Sequence, residues 1–166
     1  MNEARTNEVR KLLAPVLAGK TAILGCGSIL RGDDAAGYCI AERLSGLSGN
    51  ARAFCGSSAP ENLTGEIKRF RPDTLLVVDA ADIKQPPGTV ALIPPDSVSG
   101  ATFSTHMLPL RVMLDYLRRE IGCKIYLLGI QAASLETGTE MTPEVSSAVE
   151  DIVSVLLELL AGDAAR

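Results

Sequence analysis

The sequence predicts a three-layer α/β/α domain, in which a mixed, twisted β-sheet lies between two layers of helices. Three observations lead to this prediction. Short apolar runs typical of buried strands alternate with segments whose apolar residues recur at helical spacing. The length of 166 residues suits one domain. Apolar residues make up 46% of the chain and charged residues 22%, which is typical of a globular protein and not of a disordered one.

Five segments have the pattern of strands. The first, 21–27 (TAILGCG), is apolar and ends in glycine, as a strand buried on both faces does. The third, 74–79 (TLLVVD), stays apolar until Asp79, which we expect to end it. The other three cover residues 51–55, 88–93 and 124–130. This number and spacing of strands indicates a single sheet.

Segments whose apolar residues recur at helical spacing separate these strands. Residues 1–20 predict a short amphipathic helix, and Pro109 is expected to open the helix that precedes the last strand. Thr142, Pro143 and Glu144 combine an N-cap residue, a proline at the first helical position and an acid in the first turn, so they predict the start of the last helix. The apolar stripes are, in chain order, Val9/Leu12/Leu13/Val16/Leu17, Ile40/Leu44/Leu47, Leu63/Ile67/Phe70, Leu110/Met113/Leu114/Leu117/Ile121 and Val145/Val149/Ile152/Leu156/Leu159.

The link between the third and fourth strands predicts the direction of the fourth. Only a short polar segment, ADIKQPP, joins them, and a parallel crossover needs a dozen or more residues. The fourth strand is therefore expected to run antiparallel. The stretch 95–105 is long enough to return the chain to the carboxyl edge of the sheet, where ligands bind in open α/β sheets.

Three residues are expected to meet at that edge: Asp34 after the first strand, Asp79 after the third, and His106, the one histidine of the chain. Two carboxylates and an imidazole suit zinc, nickel, iron or manganese, with coordination positions left open. Each residue also has a structural alternative. Asp33 and Asp34 fit the first turn of a helix, Asp79 fits a turn cap, and His106 fits a buried structural position.

Two further readings of this edge stay open. The run LGCGS resembles the glycine turn of nucleotide-binding and methyltransferase folds, but Leu30 stands where a third glycine is expected. Cys26 or Cys55 could pair with His106 as a nucleophile, although a free cysteine is more often a small buried residue.

Charge and cysteine spacing exclude several classes of protein. The net charge of −4 and the isoelectric point near 5.0 argue against a nucleic-acid or anionic-membrane surface. No apolar run approaches the roughly 18 residues of a membrane span. The four cysteines form no C-x-x-C pair, so we expect reduced thiols and a cytoplasmic protein.

Five motifs in order carry a family resemblance: GCGSILRGDDAAG, GSSAPEN, LLVVDAAD, THMLPL and LLGIQ. With these motifs the chain resembles the hydrogenase maturation endopeptidases, in particular the type that processes hydrogenase 3 and related [NiFe] hydrogenases. The resemblance runs from Lys20 to the last helix. It divides the chain into an N-terminal helical extension (1–19), a single α/β protease domain (20–162) and a C-terminal tail (163–166).

The resemblance implies a fold, an activity and a site. It implies a phosphorylase/hydrolase-like fold whose five-stranded sheet has the order 2-1-3-5-4, with the fourth strand antiparallel. It implies an endopeptidase that removes the C-terminal extension of a [NiFe] hydrogenase large-subunit precursor after nickel insertion. The nickel is carried by the precursor, and Asp34, Asp79 and His106 are the implied contacts to it.

The chain departs from the family pattern at several positions, none of them an implied metal contact. These are Ser28 for asparagine, Ala35 for glycine, Cys55 for the acid of a D-G-G run and Ala132 for proline, and in the same run Ser57 also replaces the second glycine. Three other functions remain as alternatives: an autonomous metal-dependent peptidase with its own zinc, a non-catalytic nickel or precursor chaperone, and a Rossmann-like cofactor-binding protein.

Overall fold

A computed structural model describes residues 2–93, 102–103, 107–136, 138 and 140–161. Five α-helices, six strands and two 3-10 turns lie in these ranges. In chain order they are α1 (Glu3–Leu13), β1 (Thr21–Cys26), the first 3-10 turn (Gly32–Ala35), α2 (Ala36–Arg43), β2 (Ala51–Ser57), the second 3-10 turn (Pro60–Leu63), α3 (Thr64–Phe70), β3 (Thr74–Asp82), β4 (Val90–Ile93), β5 (Thr102–Phe103), α4 (Met107–Ile121), β6 (Lys124–Gln131) and α5 (Pro143–Ala161).

The sheet has the strand order β2-β1-β3-β6-β4. Strands β2, β1, β3 and β6 pair in parallel, and β4 pairs antiparallel with β6. Since β6 is the fifth of the strands predicted from the sequence, the predicted order 2-1-3-5-4 and the antiparallel fourth strand are confirmed. The short link from β3 to β4 turns the chain back along the sheet without a crossover helix.

Strand β3 is longer than predicted, so the expectation that Asp79 ends it was wrong. The strand continues to Asp82, because Ala80 and Ala81 extend the ladder with β6 and because Ala81 and Asp82 also pair with β5. The two residues of β5 were not predicted as a strand. Because Ala81 already pairs with β6 on one side, β5 occupies the side of β3 that faces β1, beyond the end of β1.

Prolines account for the differences in the helix boundaries. Helix α1 ends at Leu13 although its apolar pattern continues to Leu17, because Pro15 cannot continue the helix. Helix α4 begins at Met107, two residues before Pro109, because proline is tolerated within the first turn. None of the described helices is both long enough and apolar enough to cross a bilayer.

Alternation along the central strands produces two hydrophobic cores. Ile23, Leu76 and Val78 face one side of the sheet and pack in one cluster with residues of α1, α2 and α5. Leu24 and Leu75 face the other side and pack in a second cluster with residues of α3 and α4. Because both faces of β1 and β3 are covered, these strands are buried along almost their whole length and are mainly apolar. The three-layer prediction is confirmed.

Helix α1 is docked on α5 through a buried ion pair. The Arg5 Nε donates to Asp151 Oδ2 at 2.6 Å, and the backbone N–H of Asn2 donates to Asp151 Oδ1 at 3.0 Å. The Asp151 side chain is fully buried, and Val9 and Leu13 of α1 lie in the same core as the sheet. The division into an extension, a domain and a tail stays a prediction, and the tail lies outside the described residues.

Candidate functional site

The turn after β1 is built around Gly27, which has a φ of +114°. A Cβ atom at this position would lie 1.7 Å from the carbonyl oxygen of Asp34. The turn therefore needs glycine because the backbone of Asp34 fills the space where a side chain would be. Packing against Asp34 thus explains the second glycine of the LGCGS run, Gly27, without a nucleotide phosphate.

The start of α2 lies directly over the ends of β1 and β3. A Cβ atom on Gly37 would lie 2.1 Å from the carbonyl oxygen of Val78 and 2.5 Å from that of Cys26. This close approach requires a residue without a side chain at position 37. It brings the 3-10 turn that carries Asp34 to the edge of the sheet where Asp79 follows Val78.

Asp34 is a buried carboxylate, and one of its oxygens has no partner among the described residues. Its side chain is 4% exposed, and its Oδ2 accepts a hydrogen bond of 3.1 Å from the backbone N–H of Ser28. Within the described part of the chain, its Oδ1 is buried and has no hydrogen-bond partner. A buried polar atom without a partner is unfavourable by about 1–3 kcal/mol, and such atoms in native proteins often mark ligand sites.

Asp33, the adjacent residue, has the opposite environment. Its Oδ2 accepts from the backbone N–H groups of Ala133 (2.8 Å) and Ser134 (3.1 Å). Its Oδ1 accepts from the backbone N–H of Thr142 (2.7 Å) and from the Thr142 hydroxyl (2.9 Å). Asp33 therefore fastens the 3-10 turn to the chain between β6 and α5. The sequence predicted only a first-turn acid here, because its partners lie about a hundred residues further along the chain.

Asp79 is fully buried in β3, one residue after the pairing of Val78 with Gly25 of β1. The buried thiol of Cys26, which follows Gly25, is affected by the charge of Asp79 and by those of two other acids. The pKa of Cys26 is raised well above its ordinary value, first by burial and then by the negative charges of Asp79, Glu61 and Asp34. Both predicted carboxylates thus act on one buried sulfur atom, and the structure brings them to the same edge of the sheet.

The raised pKa of Cys26 also bears on the alternative in which Cys26 or Cys55 acts as a nucleophile. A raised pKa keeps the Cys26 thiol protonated, and the thiolate is the form that acts as a nucleophile. Cys55 is exposed, but burial of part of its side chain and the charge of Glu42 raise its pKa as well. Among the described residues, none lowers the pKa of either thiol as the electropositive surroundings of an activated cysteine would.

Glu61 is an acid near the site that the sequence analysis did not select. It lies in the second 3-10 turn, after β2, and its charge acts on the Cys26 thiol. The turn is joined to the site through β2, because the carbonyl oxygen of Ser57 accepts a hydrogen bond from Gly27 at 2.8 Å. The position of Glu61 within the GSSAPEN motif was the signal available in the sequence.

Gln131, at the end of the LLGIQ motif, shapes the chain after β3. Its Oε1 accepts from the backbone N–H groups of Ile83 (2.8 Å) and Gln85 (3.2 Å). Its Nε2 donates to the carbonyl oxygen of Ala132 at 2.9 Å. This side chain therefore holds the β3–β4 link against the end of β6, beside the edge that carries the site.

His106, the third predicted ligand, lies outside the described residues. Among the residues that are described, no group of three histidine, cysteine or acidic side chains is arranged to hold a metal ion. The structure brings Asp34 and Asp79 to the same edge of the sheet. The metal site that also includes His106 stays a prediction.

Comparison with known proteins identifies the class of protein. A family model described as hydrogenase maturation protease matches residues 42–159. The hydrogenase 3 maturation protease of Escherichia coli K12 is 37% identical over 135 residues, which cover 80% of this chain and 86% of that protein. A crystal structure of a [NiFe] hydrogenase maturation protease from Thermococcus kodakarensis has 31% identity and a TM-score of 0.81, and the match covers 90% of this chain and 98% of that one.

A solution structure of an endopeptidase from Escherichia coli is also similar, with 36% identity and a TM-score of 0.71 over 81% of this chain and 87% of that one. The α/β fold and these relatives define the class as a peptide hydrolase. The chain belongs to the hydrogenase maturation protease family. The family resemblance and the enzyme class predicted from the sequence are thereby confirmed.

Proposed function

We propose that this protein is the endopeptidase that removes the C-terminal extension of a [NiFe] hydrogenase large-subunit precursor after nickel has been inserted. Membership of the family carries the activity and the substrate class. One structural observation supports the site: among the described residues, Asp34 has a buried oxygen without a hydrogen-bond partner, at the edge of the sheet that also carries Asp79. We propose the cytoplasm as the location, because the four described cysteines are free thiols, as expected in a reducing compartment.

Asp34, Asp79 and His106 are the proposed contacts to the nickel, which belongs to the substrate and not to the protease. His106 is joined to described chain on both sides, since β5 ends at Phe103 and α4 begins at Met107. Phe103 pairs with Ala81, two residues past Asp79. A segment of three residues spans at most about 11 Å, so the pairing of Phe103 with Ala81 supports His106 as the third contact.

The environment of Asp34 suits a metal that arrives from outside. The Ser28 N–H holds Oδ2, which leaves Oδ1 as the open position for a cation. A carboxylate that is buried without a protein partner for one oxygen is stabilised when a positive charge reaches it. Cleavage would thereby depend on the presence of nickel in the precursor.

The role of the metal in this scheme is that of a template. Nickel held by the precursor and by these side chains orients the scissile bond, and it polarises the carbonyl group or lowers the pKa of an attacking water. The protease itself needs no covalent nucleophile. The protonated Cys26 thiol beside the two carboxylates is consistent with this scheme.

The test is incubation of the purified protein with nickel-loaded and nickel-free precursor. We expect cleavage of the nickel-loaded form alone, and loss of cleavage in the variants Asp34→Asn, Asp79→Asn and His106→Ala. Asp115→Asn is the matched control, because Asp115 is an exposed α4 carboxylate whose only described ion pair is a loose 3.7 Å contact with Arg118.

Four outcomes would contradict the proposal in different ways. Equal cleavage of both precursors would remove the template role of nickel. Absence of cleavage of either precursor would favour a chaperone that is not catalytic, and intact cleavage by Asp79→Asn would remove Asp79 from the proposed site. Stoichiometric zinc in the purified protein, together with cleavage of nickel-free precursor, would identify an autonomous metallopeptidase.

A further inference from the structure

Two large apolar side chains are exposed on the turn between β1 and Asp34. Ile29 is 60% exposed and Leu30 is 68% exposed. Isolated exposed apolar residues are common on protein surfaces, but these two are adjacent in the chain and lie next to the candidate site, where exposed apolar side chains suit contact with another macromolecule. We call residues 28–31 the apolar turn.

The apolar turn is held in place by hydrogen bonds of its backbone. The N–H of Arg31 donates to the carbonyl oxygen of Ser28 at 3.2 Å, and the N–H of Leu30 donates to the Ser28 hydroxyl at 3.3 Å. The carbonyl oxygen of Leu30 accepts from the N–H of Gly138, in the chain between β6 and α5, at 2.8 Å. The two apolar side chains are thus presented to solvent by a supported turn, and binding through them requires little ordering of the chain.

The apolar turn is also in direct contact with the proposed nickel ligand. The Ser28 N–H donates to Asp34 Oδ2, and Ile29 is the next residue. Asp34 is almost completely buried, so a macromolecule that brings a cation to its Oδ1 lies against the chain that covers this carboxylate. The exposed pair is therefore continuous with the surface on which the substrate protein must lie.

We propose that Ile29 and Leu30 form a docking contact for the large-subunit precursor and bind an apolar patch on the folded protein beside its nickel site. This inference rests on the proposed function for the identity of the partner. It assigns the two side chains a role in substrate affinity and none in the chemical step, because neither carries a group that can move a proton or bind a metal.

The test uses the variant Ile29→Gln/Leu30→Gln and nickel-loaded precursor as the probe. Burial of one such side chain is worth about 1.5–3 kcal/mol, which corresponds to a change in affinity of about tenfold or more. We expect KM to rise by at least about tenfold while kcat at saturating precursor stays unchanged.

Leu157→Gln is the matched control. Leu157 is 42% exposed and receives the same chemical change, but it lies near the C-terminal end of α5, far along that helix from the residues that Asp33 contacts. The control variant is expected to keep the KM of the wild type. The midpoint of thermal unfolding is measured for every variant, and the single Leu30→Gln variant replaces the double one if the double variant is destabilised.

Binding without cleavage separates this inference from the proposed function. Precursor binding is measured in an Asp34→Asn background, with and without the two glutamine substitutions. Loss of binding on adding the substitutions supports the docking contact. An unchanged KM and unchanged binding overturn the docking contact. Full cleavage by Asp34→Asn alone would overturn the proposed nickel contact, and the KM of the double glutamine variant would then decide the docking contact.

Discussion

Asp33 and Asp34 are adjacent, both are buried, and the same substitution at each should have opposite consequences. Asp33→Asn replaces one oxygen of a carboxylate whose two oxygens both accept hydrogen bonds. Asp34→Asn replaces a carboxylate that accepts one described hydrogen bond and has one unpaired oxygen. We expect the first variant to lose stability and the second to lose activity.

The expected change in the free energy of unfolding follows from the hydrogen bonds that each aspartate accepts. Asp33 accepts from Ala133, Ser134 and Thr142, and the amide of asparagine would turn a donor toward at least one of these donors. Hydrogen bonds to a charged group contribute about 1.5–3 kcal/mol each, so Asp33→Asn should lower the free energy of unfolding by about 2–4 kcal/mol. Asp34→Asn can keep the bond to Ser28 and removes a buried charge, so the free energy of unfolding should stay within about 1 kcal/mol of the wild type or rise.

Urea denaturation measures the free energy of unfolding, and precursor cleavage at a temperature where both variants are folded measures the activity. Asp34→Asn should be folded and inactive. Asp33→Asn should retain activity in proportion to its folded fraction. A loss of more than about 2 kcal/mol in Asp34→Asn, or wild-type stability in Asp33→Asn, would refute the assignment of a ligand role to one residue and a structural role to the other.

Three further outcomes are expected. Gly27→Ala should destabilise the protein by more than about 2 kcal/mol and abolish cleavage, because the new methyl group would overlap the carbonyl oxygen of Asp34; a wild-type thermal midpoint would contradict this. Arg5→Leu should leave the buried Asp151 carboxylate without its cationic partner, lower stability by about 3 kcal/mol and make α1 sensitive to limited proteolysis. An unchanged digestion pattern would argue against docking through this pair. Iodoacetamide should label Cys26 only after unfolding, as peptide mass spectrometry would detect, because the thiol is buried and its pKa is raised; rapid labelling of the native protein would show that the site is open.

Local patterns predicted most of the fold. The strands β1, β2, β3 and β6 and the stripes of the helices are readable because burial on one or both faces selects apolar residues at a fixed period. The antiparallel direction of β4 was predictable from the length of one link. The extension of β3 to Asp82 and the short strand β5 were not, because their residues are strands only through pairing with distant segments.

The candidate site was predictable in part. The sequence pointed to Asp34 and Asp79 because each follows an apolar strand that ends at the same edge of the sheet. It did not point to Glu61, whose charge reaches the site from the turn after β2. His106 stays a sequence prediction, because it lies outside the described residues.

By itself, the sequence determined the alternation of strands and helices, the family and the two carboxylates of the edge, because these depend on residue types and spacing along the chain. Only the tertiary structure decided which of two adjacent aspartates is available to a ligand. The three residues that occupy the oxygens of Asp33 lie about a hundred positions away, and no described residue donates a hydrogen bond to Oδ1 of Asp34. Hydrogen bonding between distant segments distinguishes residues that look equivalent in sequence, because it depends on which groups the folded chain brings together.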